Sequence, residues 1–270
     1  MILAGLGIIA GKGALPMDAD AQSFITAASI TDTTQKTAIN TLVWDLKNAN
    51  IWTKMKAIYP FVGGTASSHK YNLIDPRDLN AAYRLSFIGG GTHSSTGYLP
   101  NGTTAYADTF LSPSSALSSQ NSTHISYYSR TNNAVDQLDF GTQSVGGVNM
   151  LSGSIRQSNS TTYFRINRSY TTAESFTSIT DSRLFYMINR TSSTEEILFT
   201  NTTKYTFSKN STGLANSPIY IGAFNASGTP LYYGSKECAF FSVGDGLTDA
   251  EATAFYNAVQ TFNTTLGRQV

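Results

Sequence analysis

KECAFFSVGDGLTDAEATAFYNAVQTFNTTLG, residues 236–267, is the stretch whose reading decides the fold. Apolar Cys238, Phe240 and Val243 mark a strand, and Asp245-Gly246 is a turn dipeptide. Thr248 can cap a helix, with Glu251 three residues on to close a capping box. Phe255, Val259, Phe262 and Leu266 recur at helical spacing and form one stripe. Gly267 stands where a left-handed residue ends a helix. A strand therefore leads through a tight turn into a single amphipathic helix. Such a helix needs a sheet to lie on.

The sheet lies upstream. Short apolar or alternating runs recur at 82–87, 105–111, 124–128, 137–140, 148–155, 162–166, 182–188, 195–199, 204–207, 218–224 and 231–241. Turn material such as Asn132-Asn133, Gly146-Gly147 and Ala226-Ser227-Gly228 separates them. Many short strands at such spacing predict an antiparallel sandwich or jelly roll. Strands do not alternate with helices, which disfavours a parallel α/β sheet.

Ahead of the strands the pattern is helical. Asp18 can cap a short helix carrying Phe24 and Ile25, and Asp32 with Gln35 gives a second capping signal. Ile39, Leu42, Val43 and Leu46 trace a helix face, and Ile51, Trp52, Met55 and Ile58 read as a further short apolar turn before Pro60. The division expected is 1–16 as an apolar attachment or oligomerisation segment, 17–60 as a small helical lead-in packed on one edge, and 61–270 as the β module.

The first residues, MILAGLGIIAG, are too few and too weakly flanked for a membrane span or a signal peptide. Gly5 to Ala10 fits G-x-G-x-x-A, but four residues before Gly5 leave no room for the strand a dinucleotide site requires. Ile2, Leu3, Leu6, Ile8 and Ile9 are the candidate assembly contacts, either as a strand on a neighbouring subunit or paired within their own domain.

Composition narrows the function classes. Charged residues are 13% of the 270, against about 25% in an average protein, so Ser, Thr and Asn carry the polarity. The net charge of +1 and the lack of a basic stripe argue against nucleic-acid binding. Cys238 is the single cysteine, so no intrachain disulfide forms, and a reducing compartment for assembly fits. His69, His93 and His124 make no H-x-H or H-x-x-x-H pair. His93 is expected to bond backbone within its tight Gly-Gly-Gly-Thr-His loop, and no nucleophile elbow accompanies it.

The segments IWTKMKAIYPFVGGTASSHKYNLIDPRDLNAAYRLSFIGGGTHS and GYLPNGTTAYADTFL, with the closing CAFFSVGDGLTDAEATAFYNAVQTFNTTLGR, resemble a family of phage and prophage structural proteins over residues 18–270. That resemblance implies a mainly β fold: an antiparallel jelly-roll sandwich similar to concanavalin A-like and laminin-G domains, preceded by a small helical region and closed by the C-terminal helix. It implies a virion surface role as head fibre, capsid decoration or tail fibre, with assembly in the host bacterial cytoplasm. Partners would be other virion proteins through the N-terminal segment, copies of itself as a homodimer or homotrimer, and host or mucosal glycans. Neither nucleic acid nor a membrane span is expected. Such sandwiches often hold calcium at the rim. Asp108, Asp136 and Asp139 are the acids available, without a D-x-D-x-D-G loop, and no cofactor is expected.

Jelly-roll glycosidases need acids on one strand face. Glu195 and Glu196 are adjacent and must point to opposite faces, and Asp136 and Asp139 are likewise split. The expectation is a non-enzymatic protein, with a soluble lectin-like adhesin or a polysaccharide-degrading enzyme as rivals. For glycan contact the candidates are Tyr98 and Asn101, beside a Pro-Asn-Gly tip, and Tyr232 and Tyr233, after a Gly-Thr-Pro turn.

Overall fold

The computed structural model describes residues 15–171 and 174–270, so the assembly candidates Ile2, Leu3, Leu6, Ile8 and Ile9 lie outside the described residues. Its helices are α1 (Ala19–Ala27), α2 (Thr33–Asn48), α3 (Ala66–His69), α4 (Pro113–Ala116) and α5 (Asp249–Thr265). Its strands are β1 (Met55–Tyr59), β2 (Ser86–Ile88), β3 (Thr92–Ser94), β4 (Gly97–Leu99), β5 (Tyr106–Asp108), β6 (Thr123–Ser129), β7 (Phe140–Gln143), β8 (Met150–Ser154), β9 (Thr161–Arg168), β10 (Ser175–Ser178), β11 (Phe185–Arg190), β12 (Glu195–Thr200), β13 (Thr203–Ser208), β14 (Tyr220–Ile221), β15 (Phe224–Ala226), β16 (Thr229–Leu231) and β17 (Cys238–Gly244).

The strands form two sheets. The first runs β13-β12-β11-β6-β17-β4-β3, with β1 also on β17. The second runs β10-β9-β8-β7-β14-β5-β2, with β15 on β7 and β16 on β15. Every pairing among the described strands is antiparallel except β15 on β7. The mainly β sandwich expected from the spacing is the fold observed.

The two cores show why the helices are there. Between the sheets lie Tyr59, Ile125, Tyr127, Phe140, Leu151, Phe164, Ile221 and Phe241. On the far side of the first sheet, Tyr128, Phe185, Met187 and Phe240 pack against Phe24, Leu42, Val43, Phe255, Val259 and Phe262 of the helices. The first sheet is thus buried on both faces, and among the described residues no helix layer covers the outer face of the second. The lead-in helices do not sit on an edge: α2 lies beside α5 on the sheet face.

The tail follows its local chemistry. The Thr248 hydroxyl accepts from the Glu251 amide at 3.3 Å, and the Glu251 carboxylate accepts from the Thr248 amide at 2.8 Å. Gly267 adopts φ 66°, the left-handed region that ends the helix. Phe255, Val259 and Phe262 are buried, and Leu266, at the cap, is partly buried. At the other end Asp32 caps α2 by accepting from the Gln35 amide at 2.8 Å. The Gln35 side chain does not return to Asp32; its carbonyl accepts from the Gly63 amide at 2.8 Å and ties helix to loop.

Two local readings are corrected. Met55 to Tyr59 is not an apolar turn but a strand, paired with residues 241–244 of β17. Its side chains are buried on both faces, so the run has no clean period of two to read. Within β17 a bulge between Cys238 and Phe240 reverses the alternation. Cys238, Phe241 and Val243 face the inter-sheet core, whereas Ala239 and Phe240 face the helices. Cys238 is a buried free thiol, pushed up by its burial.

Arg268 locks the tail to the sheet. Its fully buried guanidinium donates to the carbonyls of Phe61 (2.8 Å), Pro60 (2.6 Å), Ala239 (2.9 Å) and Ser95 (3.3 Å) and to the Asn263 amide oxygen (2.9 Å). Burial pushes it down to about 9, so it remains a cation at neutral pH. Truncation to alanine strands those acceptors in a dry site. Arg268→Ala is expected to lower the unfolding free energy by roughly 3 kcal/mol, read from the urea midpoint; a loss below about 1 kcal/mol would mean the lock is idle.

Candidate functional site

A groove of about 430 Å³ lies on the helix-free face of the second sheet. Its floor comes from strands: Gln143 of β7, Met150 of β8 and Arg165 of β9. The inward neighbours Leu151, Phe164 and Ile166 fill the inter-sheet core, so alternation sends Arg165 outward. One wall is the β15–β16 hairpin, with Phe224, Ala226, Leu231 and then Tyr232. That hairpin sits close because β7 carries Gly141: a Cβ there would come within 2.9 Å of the Phe224 ring. Asp136, Gln157, Tyr170 and Glu174 complete the rim from loops.

Two aromatic rings stand at this groove with most of their surface bare. Tyr232 is 61% exposed and Tyr170 is 55% exposed. Tyr232 has φ 52°, a left-handed backbone that a bulky residue rarely adopts. Its carbonyl accepts from the Leu138 amide at 2.9 Å, which fixes the backbone in that conformation. Tyr170 is set from behind by Gly147. The Tyr170 amide donates to the Gly147 carbonyl at 3.1 Å, and a Cβ on Gly147 would lie 2.4 Å from the ring.

The polar groups are partly committed. Arg165 donates to the Glu174 carboxylate at 2.8 Å and to the Tyr170 carbonyl at 3.2 Å. Asp136 accepts from the Ser158 amide at 2.9 Å and from its hydroxyl at 2.8 Å, which holds the carboxyl below the usual carboxylate range. The side-chain amides of Gln143 and Gln157, both at the groove, make no hydrogen bond to other described residues. Below the groove, buried Gln137 donates to Asp139 at 2.8 Å and Asp139 accepts from the Ile155 amide at 2.7 Å, with the Lys236 ammonium 3.6 Å away. Exposed aromatic faces, unbonded amides and one acid outside the ion pair, in an open groove, suit a ligand that is both apolar-faced and hydroxyl-rich.

The sequence candidates separate in space. Tyr232 lines the groove. Tyr233 does not; its ring lies 6.3 Å from Tyr106, which packs at a tilt against Tyr220 at 4.5 Å. Tyr98 is corrected: it is fully buried, because β4 pairs with Cys238 in the first sheet and turns the ring onto Phe61, Phe87 and His93. Asn101 is also corrected to a loop anchor. Its amide oxygen accepts from the amides of Thr103, Thr104 and Ala105, and its nitrogen donates to the Gly89 carbonyl at 2.9 Å. Tyr170, Gln143, Gln157 and Arg165 were not singled out by sequence. They come from separate strands and loops, and only the fold gathers them.

The acids and histidines have other occupations. Glu195 is exposed and Glu196 buried, on opposite faces of β12 as adjacency requires. Asp108 accepts from the Phe110 amide at 2.8 Å, and burial raises its carboxyl. Asp108, Asp136 and Asp139 do not converge: among the described residues no group of three acids, histidines or cysteines could hold a metal ion. His93 makes no bond to the backbone of a described residue; its Nδ1 lies 3.0 Å from Nδ1 of His69, so one ring donates and the other accepts. His124 is buried under α5, with its Nδ1 2.6 Å from the Asp245 carbonyl and its ring edge-on to Phe255.

No protein-family model matches this sequence, and none of the curated proteins matches it. Solved structures do share its architecture. A mutant of Trypanosoma rangeli sialidase displaying trans-sialidase activity superposes with TM-score 0.54 at 9% identity, over 82% of this chain and 39% of that one. A botulinum neurotoxin type C chain, from a toxin that enters cells dependent on interaction with two ganglioside molecules, gives 0.53 at 14% identity, over 79% and 53%. The binding domain of botulinum neurotoxin serotype D gives 0.50 at 9% identity, over 77% and 52%. The fold is shared. The present chain spans well under two thirds of each of these molecules, and at such identity the likeness concerns the β-sandwich alone. No described helix is long and apolar enough to cross a membrane.

Proposed function

We propose that this chain is a non-enzymatic display module on the surface of a tailed-phage virion, and that it binds saccharides in the groove walled by Tyr232. The observation that carries the binding half is Tyr232 itself. A bulky residue held at φ 52° costs about 1–3 kcal/mol, and its ring stays largely in water, where it contributes little packing in return. Strain kept at an exposed aromatic on a groove is the mark of a selected contact. The ganglioside-dependent toxin of like fold is consistent with this reading. The non-enzymatic half is supported by the two rim acids. The common two-carboxylate route of glycoside hydrolysis needs a pair of acids presented to one ligand, but Asp136 is engaged by Ser158 and Glu174 by Arg165. The virion role rests on the resemblance of residues 18–270, and attachment or oligomerisation as a dimer or trimer falls to the N-terminal segment.

Tyr232→Asn tests the binding site. Asparagine tolerates the left-handed backbone, so stability should be unchanged or higher by up to about 1 kcal/mol. Glycan binding should weaken at least tenfold. Thermal unfolding and a glycan array read the two arms; lost stability with retained binding would make the tyrosine a packing residue. Mass spectrometry of purified particles tests the location. A stoichiometric component supports the virion role, and absence from particles favours the soluble adhesin, which would use the same groove.

A further inference from the structure

We infer that the groove selects neutral saccharides over acidic ones. This rests on the proposed binding role and names the ligand class for the same site. Three charged side chains line the described groove: Asp136, Glu174 and Arg165. Arg165 is the single cation among them, and it is already engaged by Glu174 at 2.8 Å and by the Tyr170 carbonyl at 3.2 Å. The sum is one negative charge, and it sits on Asp136, exposed at the rim. A sugar carboxylate or sulfate arriving there meets a like charge. It would have to take the guanidinium from Glu174 to find a bidentate donor, leaving that acid unanswered.

The remaining polar groups suit hydroxyls. A sugar hydroxyl both donates and accepts, and so does a side-chain amide. Gln143 and Gln157 each bring one amide with no other bond to described residues. Asp136 accepts from hydroxyl donors and cannot accept from a carboxylate. The exposed rings of Tyr170 and Tyr232 offer flat apolar surface for the C–H faces of pyranose rings. At about 430 Å³ the groove falls within the range of roughly 300–1,000 Å³ typical of ligand clefts, enough for a short oligosaccharide rather than one sugar.

The test is a matched panel against the full chain: lactose, maltotriose and chitotriose as neutral probes, 3′-sialyllactose and a hyaluronan tetrasaccharide as acidic ones. Affinity is measured by calorimetry for the native protein and for Tyr232→Asn, Gln157→Ala and Asp136→Asn. At least one neutral probe should bind, lose tenfold or more in Tyr232→Asn and Gln157→Ala, and exceed the acidic probes at least tenfold. Asp136→Asn should narrow that gap as salt does. Tighter binding of an acidic probe that Tyr232→Asn abolishes would overturn the neutral selectivity and leave the groove standing. Binding that none of the three variants alters, or no binding by any probe, would overturn both. Two variants on different segments guard against one of them misfolding.

Discussion

Glu196→Ala should destabilise the protein by about 3–5 kcal/mol, more than any other single truncation outside the hydrophobic cores. The Glu196 carboxylate is fully buried between two fully buried guanidiniums. It accepts from Arg168 through both oxygens at 2.9 Å, from Arg190 at 3.4 Å, from the Ile166 amide at 3.3 Å and from the Ser175 hydroxyl. The cluster joins β9, β11, β12 and the start of β10, so it ties the two sheets at one end. Removing the acid leaves two buried cations facing each other without the anion they share. Glu196→Gln keeps the shape and should cost less than the alanine. Urea unfolding of the two variants checks this; equal, small losses would mean the cluster is solvated.

The second large effect is acid lability beginning well above the carboxylate range. Burial, with the neighbouring His93 and Arg268, pushes His69 down to about 3, and burial pushes His124 down to about 4 despite the Asp245 carbonyl. Both folded values lie below the unfolded value near 6.5. Between those limits the unfolded chain binds more protons, so stability is fully present above pH 6.5 and declines as pH falls. At pH 5 each ring contributes a loss of ~2 kcal/mol, ~4 kcal/mol for the pair. Partly buried His93, also held low by burial, adds less. Carboxyls held below their usual range, among them Asp18, Asp245 and Glu251, extend the loss only below about pH 4. The urea midpoint should therefore drop steeply from pH 7 to pH 5, and the double variant His69→Gln, His124→Gln should flatten that slope. A flat native profile would show that neither ring is confined neutral.

The architecture was legible where chemistry is local. The Thr248–Glu251 box, the Phe255 stripe and the Gly267 terminus each depend on residues within a few positions, and each appears as read. Strand alternation failed where both faces are buried, as in Met55–Tyr59, and where a bulge intervenes, as after Cys238. The site was less legible because its parts are not neighbours in sequence. Tyr98 beside Pro100-Asn101-Gly102 has the local look of a loop-tip aromatic, yet a single pairing with Cys238 buries it. Tyr232 has the same local look, and a parallel pairing of β15 on β7 places its hairpin over the open sheet. Nothing within either segment distinguishes the two cases. Tyr170 and Gln157 carry no local signal at all; Gly147 and the strand register put them at the groove.

The central claim is that the helix-free face of the second sheet receives the ligand. Its most direct test is an NMR titration of the full chain with the tightest neutral oligosaccharide, following side-chain amide and aromatic signals. The account predicts that Gln143, Gln157, Tyr170 and Tyr232 shift together and saturably, while Tyr106 and Tyr220 stay in place. Shifts centred on the Tyr106–Tyr220–Tyr233 cluster, or on the helix layer, would contradict it.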